Sequence, residues 1–300
     1  MEAKTLVEVN YNAAGVDVKG RSFFQDAWRR FSYNKASVIS IYILIGVIFF
    51  ALIVPILSPF SFDETDFGLI AVAPSWSNAH YFGTDLTGRD LLVRVAQGGR
   101  VSLAIGLAGA LCITFIGLAY GALAGYLGGV YDAIAMRIIE ILESLPGLIM
   151  MIVMVSILGR STFVLFLAIA LTSWTSTARM VRGLTFSLKQ KAFIEAARTV
   201  GVSKIGIVLR HIVPNVLGLV MVKASFLVPS VILAESSLSY IGLGVQEPFS
   251  SWGGLISDGG QMIEGAPWVL FFPSLFLTIT LFCFVFIGDG LRDALDPKEY

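Results

Sequence analysis

Six stretches of this chain are apolar for long enough to cross a lipid bilayer, and no other feature limits the fold as tightly. A helix rises 1.5 Å per residue and needs about 20 apolar residues to traverse the hydrocarbon. Val38–Leu57 is the first such run, and 101–125, 131–158, 161–178, 213–235 and 268–288 follow. The third carries Arg137, Glu140 and Glu143 near its start, and the fourth runs into charge at Arg179. Hydrophobic residues make up 56% of the sequence and charged ones 14%, where soluble domains carry about 25% charged residues. A soluble globule, a disordered chain, a secreted disulfide scaffold and a nucleic-acid binder are excluded. The expected fold is an all-α membrane protein with six transmembrane helices.

Charge sets the orientation. The tail 1–37 holds Lys4, Lys19, Arg21, Arg29, Arg30 and Lys35, and the connection 179–212 holds Arg179, Arg182, Lys189, Lys191, Arg198, Lys204 and Arg210. Segment 58–100 has three basic residues against five acidic ones, and 236–267 has none against Glu247, Asp258 and Glu264. The basic segments belong on the cytoplasmic side. Both termini and 179–212 are therefore expected inside, and 58–100 and 236–267 outside. The tail is too long for a signal peptide and no cleavage site follows it, so 38–57 reads as an uncleaved first transmembrane helix. This divides the chain into the tail 1–37, the helix 38–57, an extracytoplasmic segment 58–100, a five-helix core 101–288 with its cytoplasmic loop 179–212, and a cytoplasmic tail 289–300.

Gly117, Gly121, Gly125 and Gly129 recur every four residues, a spacing that lets a second helix approach closely. Cys112 and Cys283 lie in apolar runs and read as small hydrophobes. His80 and His211 are the only imidazoles, too few for a His-based metal site. Neither a phosphate-cradling Gly-x4-Gly-Lys-Ser/Thr loop nor a metalloprotease or nucleophile-elbow motif is present. A six-span chain without catalytic equipment reads as a conduit, energised from elsewhere.

The cytoplasmic stretch Phe193–Asn215 carries the strongest functional signal. Phe193, Ala196, Ala197 and Val200 fall at i, i+3, i+4 and i+7 and predict a narrow apolar helix stripe. Gly201 suits a left-handed position ending that helix, and Ser203 suits the cap of the next. Ile205, Val208, Leu209 and Ile212 predict a second stripe, closed by Pro214 before the fifth run. Such a loop either docks on a partner or lies on the bilayer surface.

Glu195-Ala196-Ala197, then Gly201 and Pro214, resemble the EAA loop of ABC-importer permeases, whose first helix inserts into a cleft of a cytoplasmic ATPase. His211-x-x-Pro-Asn215 is similar to the peptide/nickel branch of that family. His80–Asp85, Gly88–Asp90, Gly99–Leu103, Glu235–Gly244, Ser251–Gly253, Ala266–Trp268 and Gly288–Pro297 resemble its C-type permeases. Gly20–Phe31 and Arg89–Arg94 look most similar to the C subunits that serve oligopeptides in Gram-negative bacteria.

The resemblance implies a type I ABC importer permease fold and a multi-pass protein of the cytoplasmic (inner) membrane. It implies a heterodimer with a B-type sister permease, two ABC ATPases that bind the ATP and Mg, and an extracytoplasmic peptide-binding protein. The chain itself would be non-catalytic and hold no cofactor. Phe193, Glu195, Ala196, Ala197, Val200, Gly201 and Pro214 would couple it to the ATPases. Dipeptide, nickel or glutathione importers would share this architecture, and a secondary transporter would need no ATPase.

Two further sites are expected. Trp76 and Tyr81, in the outward segment, lie where a binding protein would dock, while Asp85, Arg89 and Asp90 fix the fold of that segment. Counting from runs that start near 213 and 131, Lys223 lies about 15 Å deep and Glu143 about 18 Å. Charges at that depth face a bundle interior or water, which points both at the translocation path, paired with each other or held by local partners.

Overall fold

A computed structural model describes residues 23–295. Lys4, Lys19 and Arg21 of the basic tail, Gly20 of its motif, and residues 296–300 with the last part of the Gly288–Pro297 block lie outside the described residues. Among the described residues the regular structure is helical, apart from one isolated antiparallel bridge between Thr84 and Asp90.

Helix α1 (Phe23–Tyr33) leads into α2 (Lys35–Leu57), capped by the Asn34 side chain, which accepts from Ser37 N. After an irregular segment comes α3 (Leu91–Leu127), then α4 (Gly129–Glu143) and α5 (Gly147–Leu158). Next are α6 (Thr162–Ser173), α7 (Thr175–Lys189), α8 (Ala192–Thr199) and α9 (Lys204–Ile207), followed by a π turn over Val208–Ile212. The chain ends with α10 (Val213–Tyr240), α11 (Trp252–Gly260) and α12 (Pro267–Leu295). Five helical stretches are long and apolar enough to cross a membrane: 35–57, 91–127, 162–189, 204–240 and 267–295. The pair α4–α5 is apolar enough to make a sixth when taken as one span, and it is bent by 80°.

The helices differ from the apolar runs in ways that have physical causes. The second starts at Leu91 rather than near 101, because Asp90 caps it by accepting from Val93 N at 2.9 Å. The third is not one straight helix. Pro146 has no N–H to continue α4, and it pushes Leu145 away from helical geometry, so the chain turns at Ser144–Pro146. The fifth begins at Lys204, and Pro214 does not close it off. Pro214 sits in the first turn of α10, where a missing N–H is tolerated, and the helix continues through it.

At about 55 Å, estimated from its 37 residues, α3 is the central post. Gly117, Gly121 and Gly125 lie against α7: a Cβ on Gly117 would meet the Thr177 Cβ at 2.6 Å, and one on Gly125 the Thr185 Cβ at 2.8 Å. A Cβ on Gly121 would fall on the Ala178 carbonyl oxygen. Gly129 is not part of this face. It opens α4 at φ +57°, where an added Cβ would meet nothing within 4 Å. Nearer its start, α3 has further close approaches, Gly106 to Ile232 and Gly109 to Val231 of α10. Polar ties between helices add to this packing. Arg100 Nε donates to the Ala51 carbonyl at 2.7 Å, Ser37 Oγ donates to the Phe286 carbonyl at 2.7 Å, and Arg182 pairs with Asp132.

Candidate functional site: the coupling loop and the opposite clasp

Segments 58–90 and 241–266 meet at the Leu91 end of α3, and the 189–212 loop lies at its Leu127 end. The two kinds of candidate site therefore occupy opposite ends of the bundle.

Helix α8 is fastened by one face and open on the other. Ile194 is fully buried and Ala197 is buried beside it, in a cluster with Ala122, Tyr126, Val181 and Ile207. Arg198 stands over the Tyr126 ring, its Cζ 5.3 Å from the centroid. Phe193 is 43% exposed and Val200 84%, and Glu195 and Ala196 are also exposed. Ala197 thus departs from the expected stripe. It belongs to the anchoring face, together with Ile194, which the spacing argument missed. The exposed set is Phe193, Ala196 and Val200, with Glu195 at its edge.

The turn after α8 follows from its glycine. Gly201 has φ +88°; its N–H donates to the Arg198 carbonyl at 2.9 Å, and Val202 N–H donates to the Ala197 carbonyl at 3.0 Å. These paired bonds form the Schellman closure that a left-handed glycine permits. Ser203 Oγ accepts from Gly206 N at 3.2 Å and starts α9.

The second apolar stripe is re-phased. Ile207, Val208 and Ile212 are buried, whereas Ile205 and Leu209 are exposed. The π turn explains the shift, since Val213 N–H reaches back five residues to the Val208 carbonyl. Pro214, exposed and a turn beyond, is separate from α8.

At the other end, Trp76 is 88% exposed and meets Tyr81, also exposed, edge-to-face with ring centroids 5.0 Å apart. Beneath them the acidic residues are structural. Asp85 accepts from Thr87 N at 2.8 Å, Arg89 N at 3.0 Å and Arg89 Nε at 2.7 Å. Asp90 caps α3 and also meets His80 Nδ1 at 2.8 Å. Arg89 extends across to Glu247, Nη2 donating to Oε1 at 3.2 Å, and Arg94 lies 3.3 Å from Asp85 and 3.4 Å from Glu247. Four charged groups thereby clasp the two segments together. Burial would raise the Asp85 carboxyl, but hydrogen bonds from Thr87 and the Arg89 guanidinium outweigh it and hold the group below its ordinary range. Burial would lower Arg89, and Glu247 and Asp85 instead raise it. Asp258 is pushed up by burial despite the nearby Arg94.

The two membrane charges do not meet each other. Glu143 accepts from Arg179 Nη2 at 2.7 Å at the α4–α5 bend. It borders a cavity of about 540 Å³, mainly apolar, with Met150, Met154 and Trp174. Helix α4 runs unbroken from Gly129 to Glu143, and the bend follows immediately after it. Lys223 is half-buried on α10 and has no ion pair or hydrogen bond among the described residues.

Glu235 stands in the sequence only as the start of the Glu235–Gly244 block, with no role assigned to its carboxyl. Glu235, fully buried on α10, is met by Ser239 Oγ at 2.6 Å and Ser102 Oγ at 3.3 Å, while Ser102 accepts from Trp252 N at 3.2 Å. It ties α10 to α3 and α11. The signal was present as serines beside an acid in an apolar run, a pattern that hydropathy averages away.

Comparison with known proteins agrees with this architecture. Residues 95–299 match the family described as binding-protein-dependent transport system inner membrane component. Residues 22–74 match the N-terminal TM domain of oligopeptide transport permease C. The chain is 56% identical to the oligopeptide transport system permease protein OppC of Escherichia coli, covering 95% of this chain and 94% of that protein. It is 53% identical to the Haemophilus influenzae protein of that name, over 95% and 91% of the two chains. It is 40% identical to the dipeptide transport system permease protein DppC of Bacillus subtilis, over 97% and 91%.

Proposed function

The chain belongs to the binding-protein-dependent transport system inner membrane components, and from that premise we propose how its geometry serves transport. It is a multi-pass permease of the bacterial inner membrane, part of an ABC importer of oligopeptides. Such an importer works with ATPase and binding-protein partners. In this reading the chain pairs with a sister permease of the B type and stands on two ATPases, which hold the ATP and Mg. It carries out no catalysis of its own. Both termini and the α8–α9 loop face the cytoplasm, and the 58–90 and 241–266 segments face the binding protein.

One observation carries the coupling assignment. Helix α8 is pinned through Ile194 and Ala197 yet leaves Phe193, Ala196 and Val200 uncovered. Eight residues are too few for a helix to persist alone, so the anchored face holds it in shape and the open face is free to seat in a partner. Gly201 closes the helix, and Glu195 lies at the edge of the seat. Pro214 supports the junction to α10 rather than the seat. Glu143 at its cavity and Lys223 on α10 border the path, and Trp76 with Tyr81 faces the arriving binding protein.

A photocrosslinking residue at Ala196 tests the reading. It should capture an ATPase subunit in membranes, and one at the buried Ile194 should not. Equal capture, or none at Ala196, would sink the assignment.

A further inference from the structure

We propose that the pocket between the Leu127 end of α3, the end of α7 and the α8–α9 loop binds the headgroup of an anionic phospholipid. The pocket has a volume of about 340 Å³, and Tyr126, Leu127, Lys189, Arg198, Lys204 and Ile207 line it. Two cations share one ring: Lys189 Nζ lies 5.7 Å from the Tyr126 centroid and Arg198 Cζ 5.3 Å. Three cations line this small space and no carboxylate does. Among the described residues none of the three makes an ion pair, although Arg137, Arg179 and Arg182 each do.

Like charges gathered this closely repel. The C-terminal ends of α3, α7 and α8 each contribute about half a negative charge, which together offset about half of the charge of the three cations and leave the rest in excess. A monovalent or divalent anion completes the site.

The walls favour a lipid over a free anion. Leu127 is the last of Leu111, Phe115, Ala119, Leu123 and Leu127, spaced by four and exposed along α3. A phosphate seated among the cations would leave an acyl chain lying along that row. Basic pockets at the ends of membrane helices recognise headgroups in this way. Because Arg198 belongs to α8, the lipid would brace the coupling helix against the bilayer.

The test uses the importer purified with its partner subunits, so that loss of lipid and loss of ATPase docking are read separately. Detergent-solubilised complex is incubated with phosphatidylglycerol or phosphatidylcholine, and retained lipid is quantified by mass spectrometry. The wild type should retain phosphatidylglycerol preferentially. Lys189→Gln with Lys204→Gln should lower that preference by about fivefold for each lysine removed, with ATPase subunits still bound. Lys189→Arg with Lys204→Arg, which keeps the charge, should retain the preference. An unchanged preference in the glutamine variant, or complete displacement of phosphatidylglycerol by excess inorganic phosphate, would overturn the proposal, the latter in favour of a free-anion site.

Discussion

Replacing Gly201 separates coupling from folding. At φ +88° the residue sits where L side chains rarely go, yet a Cβ there would meet nothing within 4 Å. The penalty of a substitution is therefore conformational, with no steric part. Holding a non-glycine residue in such a region costs about 1–3 kcal/mol, and β-branched valine belongs at the upper end. Since 1.4 kcal/mol is a factor of ten, Gly201→Val should lower the population of the closed α8 turn by roughly 30- to 150-fold, for about 2–3 kcal/mol. The bundle should be spared, because Gly201 is exposed and nothing packs on it. Asparagine tolerates left-handed geometry, so Gly201→Asn should retain much of the function. Three measurements decide the matter: the amount of permease in the membrane, ATPase subunits recovered with it, and uptake of a labelled peptide. Valine should leave the first intact and depress the other two, and asparagine should fall between valine and wild type. Wild-type uptake by Gly201→Val would refute the reasoning. Equal loss by asparagine and valine would show that side-chain bulk matters there, contrary to the open space observed.

The α3–α7 contact predicts a contrasting result. Gly121→Leu sets a side chain against the Ala178 carbonyl and Val181, which should cost about 1–3 kcal/mol or more by overpacking and lower the melting temperature of the complex in detergent. Gly129→Ala, with no neighbour in reach, should lower it far less. The clasp predicts an acid limit. Asp85 titrates below its ordinary value of 3.8 in the folded protein, so its contribution is present above that value and is lost as pH falls through the lower folded pKa. Thermal melts at neutral pH and below 3.8 should converge for wild type and Asp85→Asn only at the acid end. Finally, a cysteine at Lys223 should react with a water-soluble thiol reagent in one access state and be protected in the other. Protection in every state would remove Lys223 from the path.

How much of this could be read from sequence depended on whether a local rule had one outcome or two. Glycines at a spacing of four can only stack on one helix face, and Gly117, Gly121 and Gly125 do so against α7. Gly129 fails because α3 has already ended at Leu127, a boundary that continuous hydropathy conceals. Proline is a two-outcome signal in a membrane helix. Pro55, Pro229 and Pro273 lie inside unbroken helices, whereas Pro146 ends one. Its neighbours differ, with Ser144 before it and Gly147 after, and the surrounding apolarity gave no sign of the 80° turn. The face of α8 was ambiguous for a related reason. Phe193, Ala196 and Val200 form one apolar row, Ile194 and Ala197 another, and the periodicity alone cannot say which turns inward. Under the proposed function, α8 holds to its own chain by one row and seats in a partner by the other.

The continuity through Pro214 adds a mechanical consequence that separate loop and span readings would have missed. From Lys204 to Tyr240 the chain is one helical stretch of 37 residues, about 55 Å at 1.5 Å per residue. At its start, Ile207 packs in the same cluster as Ile194 and Ala197 of α8. Near its far end, Glu235 is fixed to Ser102 and Ser239, one turn before the segment that carries Glu247 into the clasp. Lys223 lies between the two. A displacement imposed on α8 would therefore be passed toward the opposite end along this continuous helix, whose regular winding is interrupted by the π turn at Val208–Ile212. If α8 couples as proposed, a push on it should then appear as rotation of α10 about that turn, carrying Lys223 with it, while the glycine-packed α3–α7 pair stays fixed.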